Sequence, residues 1–416
     1  MTGKFAIFAA SEDNPKYPKL IERKDRLYPR RNDPRSEFAR DYNRILHCTA
    51  YRRLRHKTQV FFATQNDHVC TRMEHVNHVT AIGHTISKAF GLDTELTQAI
   101  AIGHDIGHAA FGHEGEKILD SIARAKIREQ FWHEKNGLQF ADNLETLADP
   151  ENRERNLALT YGVRDGIICH CGEIDQVPIF PRDEPIDLAV ISRPAEYQPF
   201  TWEGCVVRIA DKIAFLGRDI EDAFRLGFLT RHDFVYESAE AVPELPSLFS
   251  RTIKIGLEKI SNTAMIHSFV LDLLNSSSPE AGLQFSQPYI DLVRALRIVS
   301  DRLIYDHPRL QYFKKLARLV LRSIFDELSS LYEGNNTLRR LQDLERYAPK
   351  LCEAFEDWVI KYTDTSRRKR KSRHYYNRIV YDLNKRRDYR RAVLDFISGM
   401  TDSFALSVFD ELTEFR

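Results

Sequence analysis

The apolar residues of this chain recur every three or four positions, and this spacing restricts the fold more than any other feature of the sequence. The clearest stripe consists of Val76, Val79, Ile82, Ile86 and Phe90. These positions fall on one face of a helix, and Gly91 predicts where that helix ends. Similar stripes occur in residues 36–58 and 202–225, whereas no run of alternating strands and no internal repeat is visible. The sequence therefore predicts a mainly α fold.

Composition narrows the class of protein. The 416 residues include 61 basic and 60 acidic side chains, which excludes a uniformly basic nucleic-acid coat and an acidic disordered chain. No run approaches the roughly 18 apolar residues of a membrane-spanning helix, so we expect no membrane span. Six cysteines are too few for a disulfide framework in a chain of this length and predict a reducing, cytoplasmic location.

Local patterns give more detailed expectations. The prolines of residues 1–35 predict an irregular N-terminal arm, and those of 175–200 an irregular insertion between helices. Residues 115–148 and 156–170 are expected to be helical. The segment from Ala392 to Leu412 is expected to form one final buried helix.

Histidine is crowded into one part of the chain. Ten of the fifteen histidines lie between His47 and His133. Neutral imidazole is a preferred metal ligand, and an adjacent His104-Asp105 pair at a helix end can present a nitrogen and an oxygen to one cation. His75 from a preceding helix and Asp211 from a later one would complete the set. Two nitrogens and two oxygens suit a divalent ion such as Mn, Fe, Co, Ni or Zn, which lowers the pKa of bound water.

The surrounding residues favour phosphoryl chemistry. Cleavage of a phosphate ester needs positive charge near the phosphate oxygens and an acid for the leaving oxygen. Arg72 and Lys212 flank the candidate ligands. His113 and Glu116 are three residues apart, so on a helix the carboxylate could orient the imidazole. His108, four residues after His104, could face the same side.

Three strings carry a family resemblance: YRRLRHKTQVF (51–61), TRMEH (71–75) and HDIGHAAFGHEGE (104–116). Together they resemble the HD-superfamily phosphohydrolases, and more narrowly the dGTPase-type deoxynucleoside triphosphate triphosphohydrolases. The string FISGMTDSFALSVFDEL (396–412) is similar to the closing motif of that group. The resemblance implies an HD-type helical fold with additional C-terminal helices. It also implies divalent-metal-dependent cleavage of a dNTP, with dGTP as a candidate preference, to a deoxynucleoside and inorganic tripolyphosphate.

The resemblance also implies roles for individual residues. The metal ligands would be His75, His104, Asp105 and Asp211. The catalytic residues would be His113 and Glu116, with His133 as a further proton carrier. The residues facing phosphates would be Arg72, His108 and Lys212, and those reading the sugar Gln59 and Asp219. The spacing of Asp211, Phe215 and Asp219 is expected to keep the three on one helix face. A second ion, Mg or Mn, would accompany the polyphosphate.

The expected organisation is an N-terminal arm (1–35), an HD-type catalytic core (36–230) and a helical C-terminal region (231–416) that completes the same body. A basic segment at 361–391 contains thirteen Lys or Arg and three acids, interleaved with tyrosines. Such a segment can bind single-stranded nucleic acid, or it can be a solvated helix face or a subunit contact. The resemblance implies a homo-oligomer, either a hexamer or a tetramer.

Other functions stay open at this stage. Related HD sites act as nucleoside monophosphate phosphatases, guanosine tetraphosphate hydrolases or cyclic-dinucleotide phosphodiesterases. A degenerate site would instead make the protein a nucleotide-binding or nucleic-acid-binding sensor. Cys169-His170-Cys171 lacks a partner CxxC elsewhere, so we interpret it as thiols rather than as a zinc site.

Overall fold

The computed structural model describes residues 3–28, 32–61, 68–172, 178–370 and 374–414. The described chain is mainly helical, as predicted. The helices of the first half are α1 (Tyr17–Leu20), α2 (Glu37–His47), α3 (Thr49–Arg53), α4 (Arg72–Phe90), α5 (Thr94–Gly103), α6 (Gly112–Ile127), α7 (His133–Gln139), α8 (Tyr161–Cys169), α9 (Trp202–Leu216) and α10 (Arg218–Arg225). Those of the second half are α11 (Arg231–Ala241), α12 (Leu245–Ile253), α13 (Asn262–Ser276), α14 (Gln287–Ser300), α15 (Pro308–Ser330), α16 (Thr337–Leu344), α17 (Pro349–Tyr362), α18 (Ser366–Arg370), α19 (Arg386–Ser398) and α20 (Asp402–Thr413). Strands β1 (Thr146–Ala148) and β2 (Glu154–Asn156) pair antiparallel, with Leu147 opposite Arg155.

Local signals set the ends of the helices that carry the histidines. Thr71 and Glu74 form a reciprocal capping box at the start of α4, which satisfies backbone N–H groups of the first turn. Gly91 ends α4 in the left-handed conformation (φ 79°), as its position predicted. The side chain of Asp93 then accepts a hydrogen bond from Leu96 N (2.7 Å) and caps α5. Consequently His75 lies in the first turn of α4, and His104 follows the last residue of α5.

Two apolar clusters fill the molecule. The larger one lies around α2, α4, α5, α8 and α9, and its fully buried members include Val79, Ile100 and Val206. The smaller one joins α6 to α15, α17, α19 and α20 through residues such as Leu119, Val320 and Val393. Helix α6 therefore packs with the C-terminal helices, not with the helices that precede it in the sequence.

The N-terminal segment is irregular, as its prolines indicate, but it is packed against the body. Phe5 is fully buried, with its ring 4.6 Å from that of Phe90 and 4.8 Å from that of Trp202. Ala10 N donates to Oε1 of the buried Glu203 on α9 (2.9 Å). Within the described residues, no single helix is long and apolar enough to cross a membrane.

Several of the predicted helices differ from the structure. The first, 115–148, is broken after Ile127, where Arg128 adopts a left-handed conformation (φ 59°), and it resumes as α7, a π turn (Phe140–Leu144) and β1. Within 156–170, only α8 is helical. The predicted helix from Ala392 to Leu412 consists of the C-terminal part of α19 and most of α20, at 119° to each other. Thr401 starts α20 because its hydroxyl accepts from Phe404 N (3.1 Å).

Glu203 offers a test of this packing. Burial raises the pKa of its carboxyl from 4.5 to about 7, although Oε1 accepts from Ala10 N and Asp93 N. The folded protein therefore binds more protons than the unfolded chain between these two pH values. We expect the contribution of Glu203 to the free energy of unfolding to fall by about 3 kcal/mol as the pH rises from about 4.5 to 7. The variant Glu203→Gln should lose this dependence.

Urea unfolding of both proteins at pH 5 and pH 8 measures the effect. Glu353→Gln is a suitable control because Glu353 is exposed. Equal pH dependence in the wild type and in Glu203→Gln would contradict the assignment.

Candidate active site

The four candidate metal ligands converge from three different parts of the chain. His75 comes from α4, His104 and Asp105 from the end of α5, and Asp211 from α9. His75 Nε2 lies 2.9 Å from Asp211 Oδ1, and His104 Nε2 lies 3.8 Å from the same oxygen. Asp105 Oδ1 is 3.5 Å from His104 Nε2. The structure thus brings together all four residues that the sequence analysis selected.

Hydrogen bonding prepares His104 for a cation. A carbonyl oxygen can only accept, so the 2.7 Å contact between His104 Nδ1 and Ala101 O places the proton on Nδ1. Nε2 is then left with a lone pair, is buried, and has no hydrogen-bond partner among the described residues. Burial would raise the pKa of Asp211, but the hydrogen bond from His75 and the charge of Lys212 hold that pKa well below its usual value. An unprotonated nitrogen beside an ionised carboxylate fits a divalent ion.

Arg72 lies behind these ligands as a buried cation. Its side chain is 1% exposed, and Nη1 donates to Asp105 Oδ2 (2.8 Å). Its Nε and Nη2 have no hydrogen-bond partner within the described part of the chain. Because a buried guanidinium with unused donors is a strong attractor for an anion, Arg72 is suited to hold a phosphate oxygen. Lys212 lines the same cavity, with Nζ 5.3 Å from the ring centre of Phe215.

A cluster of imidazoles lies beside the ligands. His108 stacks on His133 with ring centres 3.8 Å apart, and its Nε2 is 3.2 Å from Asp105 Oδ1. Glu116 Oε2 accepts from His133 Nδ1 at 2.9 Å but lies 3.8 Å from His113 Nδ1. The expected proximity of His113 and Glu116 on α6 is present, yet the shorter contact of this carboxylate is with His133.

Electrostatics explain why His133 can hold a proton. Burial would lower the pKa of its imidazole, but the carboxylates of Glu134 and Glu116 raise it to about 9. Glu134 Oε1 lies 3.3 Å from His133 Nε2. Burial likewise would raise the pKa of Glu116, but His133 and His113 hold it well below its usual value. This side of the site therefore contains a charged imidazole between two acids.

The sequence analysis missed three residues near the site. His170 is buried, with its ring centre 5.1 Å from that of His104, and its Nδ1 donates to Ile167 O, so Nε2 carries a lone pair. Glu134 was not predicted as a site residue. Tyr305 donates a hydrogen bond to Asp219 Oδ2 from the C-terminal half. The Cys-His-Cys spacing was the one available signal for His170, and nothing local marked Tyr305.

These side chains surround one cavity of about 540 Å³. Residues of the metal and histidine clusters line this cavity, and so do Gln59, Asp219 and Tyr305. The C-terminal region contributes Val293, Arg297, Ser300, Asp301, Leu310 and Lys314.

Burial raises the pKa of Asp219 to about 6, although the hydrogen bond from Tyr305 lowers this pKa. The expectation that Asp211, Phe215 and Asp219 share one helix face was wrong because α9 ends at Leu216, although all three line the cavity.

The basic segment at 361–391 is extensively paired within the chain. Arg387 and Arg391 both donate to Glu129, at 2.8 and 2.7 Å. Arg368 is buried and donates to the carbonyl of Asn377 (2.7 Å). Lys371 to Arg373 lie outside the described residues. Binding of single-stranded nucleic acid to this segment stays a prediction.

Comparison with known proteins covers most of the chain. The HD domain family matches residues 72–216, and the phosphohydrolase-associated domain family matches residues 283–411. The relatives named deoxyguanosinetriphosphate triphosphohydrolase-like protein include proteins from three bacteria. The one from Desulfatibacillum aliphaticivorans is 33% identical over 295 residues, which cover 70% of this chain and 73% of that protein. The one from Geobacter metallireducens is 31% identical over 92% of this chain and 90% of its own, and the one from Sinorhizobium medicae 31% over 94% and 93%.

Removing one imidazole should test the metal site. In His104→Ala the lone pair on Nε2 is lost, so we expect the affinity for Mn²⁺ or Co²⁺ to fall by at least about 10- to 100-fold. Isothermal titration calorimetry of the metal-free protein measures the affinity. Thermal unfolding with and without the ion provides a second reading, because an ion that binds only the folded state stabilises it.

His232→Ala is the matched control, since that side chain is 92% exposed and lies outside the cavity. Its affinity should equal that of the wild type. Unchanged metal binding by a folded His104→Ala protein would rule out His104 as a ligand.

Proposed function

Because this chain belongs to the HD-domain phosphohydrolases, among the deoxyguanosinetriphosphate triphosphohydrolase-like proteins, we propose that it hydrolyses deoxynucleoside triphosphates to a deoxynucleoside and inorganic tripolyphosphate. The observation that carries this proposal is the combination found in one cavity. His75, Asp105 and Asp211 of the cation site, the buried Arg72 with its unused donors, and the paired Asp219 and Tyr305 line the same space. Such a set suits a ligand with a polyphosphate at one end and a sugar hydroxyl at the other.

The proposed cation site consists of His75, His104, Asp105 and Asp211. A divalent ion bound there supplies a coordinated water of lowered pKa and neutralises charge on the reacting phosphate. Arg72 holds a phosphate oxygen through the guanidinium nitrogens that Asp105 does not occupy. Lys117 and Lys212 line the same cavity and add positive charge for the remaining phosphates.

The leaving 5′-oxygen of the nucleoside needs a proton when its bond to the α-phosphorus breaks. His133 is our first candidate for the donor, because Glu116 accepts from its Nδ1 at 2.9 Å and both residues line the cavity. His113 is more exposed, at 64% of its side chain, and lies farther from Glu116. We therefore assign to His113 contact with the phosphate, together with His108, and to Glu116 the orientation of His133.

Asp219 and Tyr305 form the proposed sugar end. Their hydrogen bond joins α10 to the π turn at Asp301–Tyr305, so the nucleoside would lie between the two halves of the chain. Gln59 Oε1 is buried without a hydrogen-bond partner among the described residues, which suits a sugar hydroxyl donor.

We further propose that the protein works in the cytoplasm as a homo-oligomer, a hexamer or a tetramer.

Product analysis tests the reaction. We expect each cleaved dNTP to yield deoxynucleoside and tripolyphosphate, and hydrolysis in ¹⁸O-water to place the label only in tripolyphosphate, because water attacks the α-phosphorus. Anion-exchange chromatography and mass spectrometry identify the products across the four dNTPs, the NTPs and several divalent ions. Release of monophosphate with pyrophosphate, or turnover only of monophosphates, guanosine tetraphosphate or cyclic dinucleotides, would favour another HD-type reaction.

The choice of proton donor is tested separately. His133→Gln should lower kcat by about 10²- to 10⁴-fold, the usual contribution of a general acid. The kcat of this variant should fall less for substrates with a more acidic leaving group, since these substrates need the proton less. In His113→Gln the fall in kcat should instead be the same for substrates with good and with poor leaving groups. If His113→Gln alone shows the leaving-group dependence, then His113 is the donor.

A further inference from the structure

Asp402, the first residue of α20, joins the C-terminal helices to two segments of the active-site cavity. It is 5% exposed. Its Oδ1 accepts from the backbone N of Phe111 (2.8 Å). Its Oδ2 accepts from Thr58 Oγ1 (2.7 Å) and from Thr58 N (3.2 Å). One carboxylate thus binds residues that precede it by 291 and 344 positions in the sequence.

The first segment is the turn at Phe111, which leads into α6, the helix that carries His113 and Glu116. Phe111 has a left-handed backbone (φ 62°), which is unfavourable for a bulky residue unless its surroundings impose it. Gly112, the first residue of α6, follows with φ 58°. His113 and Glu116 therefore leave this turn in a direction that the backbone of Phe111 sets. The hydrogen bond from Phe111 N to Asp402 holds that backbone in place.

The second segment carries Gln59. Thr58, held by Asp402, immediately precedes it, and a side chain at Gly112 would come within 2.9 Å of the carbonyl oxygen of Gln59. The two segments therefore touch at Gly112. Lys57 adds a second link, since its buried ammonium donates to the carbonyls of His108 and Ser398 (3.1 Å for the latter). Ser398 is the last residue of α19, and Asp402 is the first residue of α20. The contacts of Lys57 with Ser398 and of Thr58 with Asp402 therefore both lie beside the turn between these two helices.

We propose that Asp402 is a positioning residue, which sets the start of α6 and the Thr58-Gln59 segment so that the histidine cluster and the sugar-reading side chain face one substrate. The inference rests on the proposed function, because it assigns to Asp402 a part in that reaction. Asp402 does not line the cavity and contacts no candidate ligand, so its effect passes through Phe111 and Thr58. The phosphohydrolase-associated region thereby takes part in turnover as well as in enclosing the substrate.

The variant Asp402→Asn removes one acceptor oxygen and keeps the size of the side chain. Its amide keeps one acceptor oxygen, so Phe111 N or Thr58 N loses its acceptor, because the NH₂ group can donate to the Thr58 hydroxyl but cannot accept. We expect kcat to fall by about 10- to 100-fold, the cost of displacing catalytic groups by about 1 Å. KM should change less than kcat, and the affinity for Mn²⁺ should equal that of the wild type.

Asp410→Asn is the matched control, an exposed carboxylate on the same helix, and it should leave all three quantities unchanged. Thr58→Val removes only the hydroxyl bond and keeps the bond from Thr58 N. It should therefore fold even if Asp402→Asn does not, with a smaller loss of kcat. A purely structural role predicts lower thermal stability in Asp402→Asn and Thr58→Val, but wild-type kcat per metal-loaded site.

Hydrogen exchange tests the positioning role of Asp402 without a measurement of turnover. In Asp402→Asn, peptides that cover residues 57–61 and 108–116 should exchange faster than in Asp410→Asn, while peptides from α4 and α9 should not. Wild-type exchange in both segments, or wild-type kcat in Asp402→Asn, would overturn the positioning role. An inactive wild type would refute the proposed function, and the exchange result would still show whether Asp402 holds the two segments.

Discussion

The buried carboxylate of Asp105 is the group on which the arrangement of the site depends. It is 3% exposed and lies among Arg72, His104 and His108. Burial alone would raise its pKa, but the interactions with His108, His104 and Arg72 hold that pKa well below its usual value. A buried charge is tolerated only with such compensation, so the ionised Asp105 requires the start of α4 and the end of α5 to meet. The cation site and the anion-binding Arg72 are thereby built around one carboxylate.

The second constraint is that the site is assembled from both halves of the chain. Helices α4, α5 and α9 share the larger apolar cluster and carry the candidate metal ligands. Helix α6, which carries His113 and Glu116, packs in the other cluster with α15 and α19. The relative position of the two groups of side chains therefore depends on how the two clusters meet. The polar contacts across this junction include those of Asp402 with Thr58 and of Lys57 with the carbonyl of Ser398.

Sequence reasoning succeeded where the signal was local. The stripe in 74–90, the glycine at 91 and the string HDIGHAAFGHEGE led to α4, to its end and to the cluster around His104, because each depends on residues a few positions apart. It failed for the breaks at Arg128 and Gly399, where the apolar pattern continues through the turn. Arg128 takes a left-handed conformation without being glycine or asparagine, so no residue type announced it.

The sequence by itself determined the helical class, the end of α4 at Gly91 and the residues that can bind a cation, since periodicity, capping and side-chain chemistry are local properties. Only the tertiary structure decided which imidazole pairs with Glu116, that His170 lies beside His104, and that Tyr305 and Asp402 reach residues from the other half. These contacts join positions 17 to 344 residues apart, and no local rule specifies them. They arise when helices that are distant in the sequence pack together and every buried charge between them has to find a partner.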